Sequence, residues 1–240
     1  MKNSKVAEYF ILGLFILLGL SALGYFISKS AVLVKSSNRF VTVKGLAEKE
    51  VAANIAIWPI SFNETANDLI QLYEKINLQK TKVLSFLKDQ GFSENEISLE
   101  TPFIKDLEAD VYLDNQRKNF RYLAKTTITV HTSKVDKVLE SITKITDLIK
   151  SGVAISGSEY ENNIQYLYTK LNDIKPQMIE EATKNGREVA EKFAKDSGSK
   201  LGKIKNASQG IFSIDDRDSS TPYIKNVRIV STIDYYLTDE

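Results

Sequence analysis

The stretch YFILGLFILLGLSALGYFI, Tyr9 to Ile27, runs for nineteen residues without a charge. No other feature limits the chain's options so strongly. A bilayer core about 30 Å thick is crossed by about 20 apolar residues rising 1.5 Å each. Helices of water-soluble proteins keep polar positions on one face, and five turns without any are unusual for a buried core helix. A cleavable leader carries a shorter apolar stretch, about 7–15 residues, ahead of a small-residue cleavage site. Length therefore favours a membrane anchor at 9–27, while Ser28, Ser30 and Ala31 keep cleavage open as the alternative.

Charge at the two ends of this span does not orient it. Lys2 and Lys5 precede it with Glu8 in partial offset, and Lys29, Lys35 and Arg39 follow. The positive-inside comparison is balanced. A short basic tail before a first apolar stretch resembles the n-region of an export signal, which stays in the cytoplasm. The expected layout is a cytoplasmic tail at 1–8, an anchor at 9–27, a linker at 28–39 and an exported domain at 40–240. That places the chain in the cytoplasmic (inner) membrane as a single-pass protein, with its large part in the periplasm or outside.

The 240 residues hold no cysteine and carry a formal net charge of +1. Absent thiols rule out a disulfide framework and suit either side of the membrane. Near-neutral charge argues against a general nucleic-acid binder, which needs a basic face for phosphates. Beyond the anchor there is enough chain for one domain with a real core.

Periodicity then organises 40–240. FVTV (Phe40 to Val43) and VAANIAI (Val51 to Ile57) alternate as half-buried strands, with Gly45 between them as the expected turn or bulge. Pro59 suggests a strand end or an edge. Ser61 to Glu64 fits a capping box, with Asn63 as a rival cap, for a helix whose stripe is Leu69, Leu72, Tyr73, Ile76, Val83, Leu84 and Leu87. Lys80 interrupts that stripe, and Gly91 takes the left-handed stop position. Ile97 to Ile104 reads as a strand broken by Pro102. Lys105 to Asn119 is an expected hairpin loop, and Phe120 to His131 alternates with Tyr122, Ala124, Thr126, Ile128 and Val130 on one face.

A second helix carries Val135, Val138, Leu139, Ile142, Ile145, Leu148 and Ile149 and ends at Gly152; Val153 to Leu167 is strand-like. A third helix starts near Asn172 or Asp173 with Pro176 in its first turn. Its face is Met178, Ala182, Gly186, Val189, Ala190, Phe193 and Ala194, and Gly198 ends it. Two last strands run from Leu201 to Phe212 and from Tyr223 to Leu237, with Val227, Ile229, Ile233 and Tyr235 sharing a face. Long antiparallel strands and about three long helices mix along the chain, which predicts an α+β class with helices packed on sheet.

Chemical motifs are scarce. The single histidine, His131, ends a predicted strand without a GxSxG serine or another evident partner for nucleophilic catalysis. One histidine and no cysteine make a zinc site improbable, and neither a Walker loop nor GxGxxG occurs. Two carboxylate clusters, Asp106, Glu108, Asp110, Asp114 and Asp215, Asp216, Asp218 around Arg217, lack EF-hand spacing and read as solvated loops. Tyr160, Tyr166 and Tyr168 offer either an aromatic binding face or cross-strand packing. No residue is assigned a catalytic, cofactor-binding or metal role, and no cofactor is expected.

Four segments in order carry a family resemblance. VTVKGLAEKEVAANIAIWPISF looks like the opening hairpin of the SIMPL (DUF541) family; GFSENEISLETPF resembles its segment after the first long helix. EEATKNGREVAEKFAKDSGSKLGKI resembles its alanine-rich helix, glycine stop and following strand, and NVRIVSTIDYYL is similar to its closing strand. The likeness covers about Phe40 to Leu237. Ala53-Asn54 stands where many members carry an acidic residue. The resemblance implies an α+β protein of the bacterial envelope or periplasm. Some members are linked to oxidative-stress tolerance and some assemble into large rings, and the family offers no agreed catalytic residues to transfer. The expectation is a membrane-tethered, non-enzymatic envelope protein that self-assembles into a homo-oligomer or binds partners; the alternative is a tethered binding module for a small molecule, peptide or glycan.

Overall fold

The structure, a computed structural model, describes residues 2–36, 39–109, 119–155 and 163–239. The apolar stretch lies in helix α1 (Lys2–Ser36), which runs without interruption through the expected linker as far as Ser36. Every residue of Leu12–Ser30 is exposed, and this span is long and apolar enough to cross a membrane. The remainder is a mixed α/β fold with antiparallel sheets, and the chain divides into two compact units.

The first unit comprises residues 1–48, 175–213 and 228–240. Its sheet is built on β1 (Phe40–Ala52), β7 (Lys200–Gln209) and β9 (Ile224–Thr238), with β9 between the other two. Helix α5 (Leu171–Asp196) carries the small-residue face. Gly45 is not a turn: β1 continues straight through it. The reason is close approach, since a Cβ on Gly45 would stand 1.8 Å from the Ala182 carbonyl oxygen and 2.6 Å from the Gly186 nitrogen. Ala182, Ala190 and Ala194 are buried, and Val43, Ala190, Ile233 and Tyr235 form this unit's core cluster. The small face of α5 thus covers the protein's own sheet. Val189 and Phe193 are instead exposed on α5, and Pro176 lies one turn deeper than expected because the helix starts at Leu171.

The second unit comprises residues 49–174 and 214–227. Its sheet runs β3 (Ile97–Leu99), β5 (Tyr122–Thr132), β2 (Ile55–Ala66), β6 (Gln165–Leu167), and β4 (Phe103–Asp106) also pairs with β5. The β2–β5 pair is antiparallel over eleven residues, from Ala56 opposite Thr132 to Ala66 opposite Tyr122. The sequence face Tyr122 to Val130 is the inner one: Ala124, Thr126, Ile128 and Val130 are buried. Pro59 sits inside β2, beyond the last β6 pair at Ile57, so β2 has a paired strand on one side only at that point. Pro102 separates β3 from β4 as expected, and both fragments lie along the same strand.

Helix α2 (Leu69–Asp89) starts later than the capping-box reading placed it. Ser61 to Glu64 continue β2, and the cap is Asp68, whose carboxylate accepts from the Ile70 and Gln71 N–H groups at 2.8 and 3.1 Å. A Ser/Thr-x-x-Glu box does exist at Ser93–Glu96, where it closes a short 3-10 turn. Leu72, Ile76, Val83 and Leu87 are buried as predicted, Gln79 fills the remaining inward position, and Leu69 and Tyr73 are exposed. The second predicted helix is two helices, α3 (Val135–Thr143) and α4 (Ile145–Lys150), broken at Lys144. Gly91, Gly152 and Gly198 all take positive φ at the predicted helix stops. Of Val153 to Leu167, only a bridge at Ile155 and β6 pair with β2, and residues 156–162 lie outside the described residues. One strand went unforeseen, β8 (Ser213–Asp216), which pairs with β9.

Candidate functional site

The predicted chemical residues do not converge. His131 is exposed on β5, opposite Ile57. In the first carboxylate cluster Arg121 bonds Asp106 at 3.0 Å and lies 3.3 Å from Glu108. The Arg121 hydrogen bond outweighs desolvation and holds the Asp106 carboxyl below its ordinary range. Asp110 and Asp114 lie outside the described residues. In the second cluster Asp218 accepts from Thr221, Arg217 and Ser220, which lowers its pKa to about 2. Arg217 also reaches Glu50 at 3.4 Å, and Asp216 pairs with the buried Lys225. Asp215 is exposed. Asp106, Glu108, Asp216 and Asp218 are held in loop and strand-end ion pairs. Among the described residues no group of three or more His, Cys, Asp or Glu is placed to share a metal ion.

The tyrosines separate in the same way. Tyr166 is buried edge-on to Tyr223 with ring centroids 6.1 Å apart, and burial raises its pKa. Tyr168 donates to the Lys170 carbonyl, and Tyr160 lies outside the described residues. At Ala53-Asn54 the asparagine side chain has a structural role. The Asn54 carboxamide accepts from Thr169 N–H at 2.7 Å and donates to Thr169 Oγ1 at 2.8 Å, tying the β1–β2 turn to the segment after β6.

A concavity forms instead where sequence reading saw only core packing. It lies in the second unit, between α2 and the edge strand β3, and has a volume of about 540 Å³. Thr81, Leu84, Ser85 and Lys88 form the helix wall at three- and four-residue spacing; Ile97 and Leu99 form the strand wall, with Phe92 between. Phe92 is itself buried, edge-on to Trp58 at 6.3 Å. A second hollow of about 210 Å³ shares Leu99 and follows α2 toward its start, along Tyr73, Ile76 and Lys80, with Glu100, Pro102 and Thr126 opposite. Thr126 is 4% exposed and its Oγ1 has no hydrogen-bond partner. An unpaired buried hydroxyl is uncommon, because its desolvation goes uncompensated. Tyr73, Ile76, Leu84, Ile97 and Leu99 of this trough are legible as apolar stripe or strand, whereas Thr81, Ser85, Lys88 and Phe92 are not, and the gap between the walls is a property of the fold.

Residues 41–228 match the SIMPL family, described as a protein of unknown function (DUF541). The chain belongs to the SIMPL family. The match spans the whole of the second unit and about half of the first, and ends inside β9. No curated protein matches the chain. In this SIMPL protein α1 precedes the matched region, and by length and composition it is either a single-pass membrane helix or a signal sequence.

Proposed function

We propose that this SIMPL protein is a membrane-tethered, non-enzymatic envelope protein that self-assembles or binds partners. The observation that carries the reading is the wholly exposed apolar span Leu12–Ser30, joined to a folded part in which Arg121 and Arg217 hold carboxylates of the two acidic clusters in ion pairs. In this reading the tail is cytoplasmic and residues from about 28 onward are exported through the inner membrane. Confinement to two dimensions raises the effective concentration of copies, so a weak contact becomes populated. The small-residue face of α5 no longer supports self-assembly, since β1 and β9 residues cover it. The family likeness extends the proposal to stress tolerance. With no cysteine in the chain, such a role works without a thiol switch.

Two measurements test it. Protease added to spheroplasts digests the large part alongside a known periplasmic domain; its survival overturns the orientation, and a mature N-terminus near Ala31 overturns the anchor. Crosslinking the full-length protein in its native membrane captures oligomers or partner adducts. Monomer alone, beside a control oligomer captured in the same sample, overturns the assembly. The second reading, a tethered binding module for a small molecule, peptide or glycan, is favoured by the apolar concavity of about 540 Å³.

A further inference from the structure

We propose that the trough between α2 and β3 is a docking site for an extended segment of another polypeptide, which adds to the sheet as a strand beside β3. This deepens the partner-binding reading above and rests on it. Three independent features select such an occupant.

The first is an open backbone edge. Sheet order ends at β3. Glu100 donates its N–H to the Thr127 carbonyl. Residues that bond a neighbouring strand alternate along an antiparallel ladder, so Ser98 and Glu100 turn toward β5 and Leu99 turns its N–H and C=O to the open side. The Ile97 N–H is already held by the Glu94 carbonyl, which leaves the two groups of Leu99 as the central hydrogen-bonding pair for an incoming strand. Exposed edges are commonly blunted with lysine. The outer strand β7 follows that rule with Lys200, Lys203 and Lys205, whereas β3, Ile-Ser-Leu, carries no charge and leaves Leu99 48% exposed.

The second is shape. From Tyr73 to Lys88 the helix wall runs about 22 Å at 1.5 Å per residue, the length of about six residues of extended chain. Alternate side chains of an added strand fall between β3 and α2, onto Leu84, Phe92 and Leu99.

The third is polarity. Lys80 and Lys88 stand on the helix wall and have no ion-pair partner among the described residues. Their charge is complemented by carboxylates on the incoming segment where it meets α2. Glu94 lines the larger hollow with Lys88 and Glu100 the smaller with Lys80, so a basic residue on the segment also finds a partner there. The unpartnered Thr126 hydroxyl gives a polar side chain of the occupant a hydrogen-bonding site within an otherwise apolar floor. The occupant is therefore a segment of about six residues, apolar at alternating positions, with at least one acidic residue.

The test uses the full-length protein in phosphatidylcholine nanodiscs and a displayed library of random heptapeptides. Leu99→Pro removes the outward N–H without removing a bond to β5, and Lys88→Glu reverses an exposed charge. Both variants are first shown to melt near the wild-type temperature. The expected result is enrichment of alternating apolar peptides bearing Asp or Glu. A synthetic fluorescein-labelled copy of the leading peptide should bind at least tenfold more weakly to each variant, and should slow amide exchange at Leu99. No enrichment, or equal binding to wild type and to both folded variants, overturns the proposal. Membrane crosslinking of the wild-type protein separates the two ideas: adducts captured while no peptide is enriched sink the trough and leave the partner-binding reading standing.

Discussion

Gly45→Ala is the sharpest test of the packing that defines the first unit. In an open strand this change is favourable, because glycine loses more backbone entropy on folding, and alanine gains roughly 0.5–1 kcal/mol. Here the sign reverses. The new Cβ would sit 1.8 Å from the Ala182 oxygen, and side-chain Cβ atoms essentially never come within 3.0 Å of a neighbour, so α5 must retreat by at least 1.2 Å. The obstructing atoms are helix backbone, which cannot rotate away as a side chain does. A radial gap of 0.5–1 Å already forfeits about a quarter to a half of each dispersion contact. Ala182, Ala190 and Ala194 would all lose contacts of this kind. Overpacking of this severity costs about 3 kcal/mol, which lowers Tm by about 6–12 °C in a chain of this size.

The comparison that isolates the cause is Gly186→Ala, on the facing helix. Its Cβ meets the flexible end of Ile233 at 3.2 Å and Gly45 N at 3.3 Å, and the helix gains about 1 kcal/mol of propensity, so near-neutral stability is expected. Circular dichroism melts of the full-length protein in detergent, with amide exchange followed across α5, measure both. A Gly45→Ala variant within about 0.5 kcal/mol of wild type, or less damaged than Gly186→Ala, refutes the account.

Asp68→Ala removes the acceptor for two N–H groups at the start of α2 and should cost about 1 kcal/mol, read as a lower denaturant midpoint with unchanged slope, whereas Ser61→Ala should leave α2 intact. Glu96 is partly desolvated, which raises its pKa, yet bonds from Lys134, Ser93 and Thr132 prevail and bring it from 4.5 to about 2. A depressed carboxyl stabilises the fold above its unfolded pKa, so this contribution, reduced by solvent screening of the partly exposed Lys134 pair, is lost as pH falls from 4.5 toward 2. Glu96→Gln should flatten that part of an acid-denaturation curve. His131→Ala should leave both melting temperature and any stress phenotype near wild type, since the ring is exposed; a large functional loss with an intact fold would contradict the non-enzymatic reading.

Periodic signals were readable because they come from one segment meeting one surface. The inner face of β5, the stripe of α2 and the alternation of β9 each sort their residues by burial whatever lies opposite. Glycine stops at 91, 152 and 198 are equally local, since each needs only a positive φ. The apolar length of 9–27 is likewise a property of the segment alone. The open trough escaped notice because an apolar helix stripe and a short apolar strand look the same whether or not a third element fills the gap between them.

Most helices and strands, the inward faces of β5 and β9, the apolar span and the family are written in the local pattern of residues. Tertiary structure alone decided what each ambiguous residue is for. Gly45 looked like a turn and proved to be a place where a helix backbone touches a strand; local φ preference does not distinguish these uses. Ser61 to Glu64 had the spacing of a cap, but pairing with β5 across eleven residues outweighs a capping hydrogen bond worth about 1 kcal/mol. The alanine face of α5 was compatible with another molecule or with its own sheet, and the partner that lay within reach on the same chain took it. Such choices depend on atoms far apart in sequence, and close packing makes them mutually exclusive.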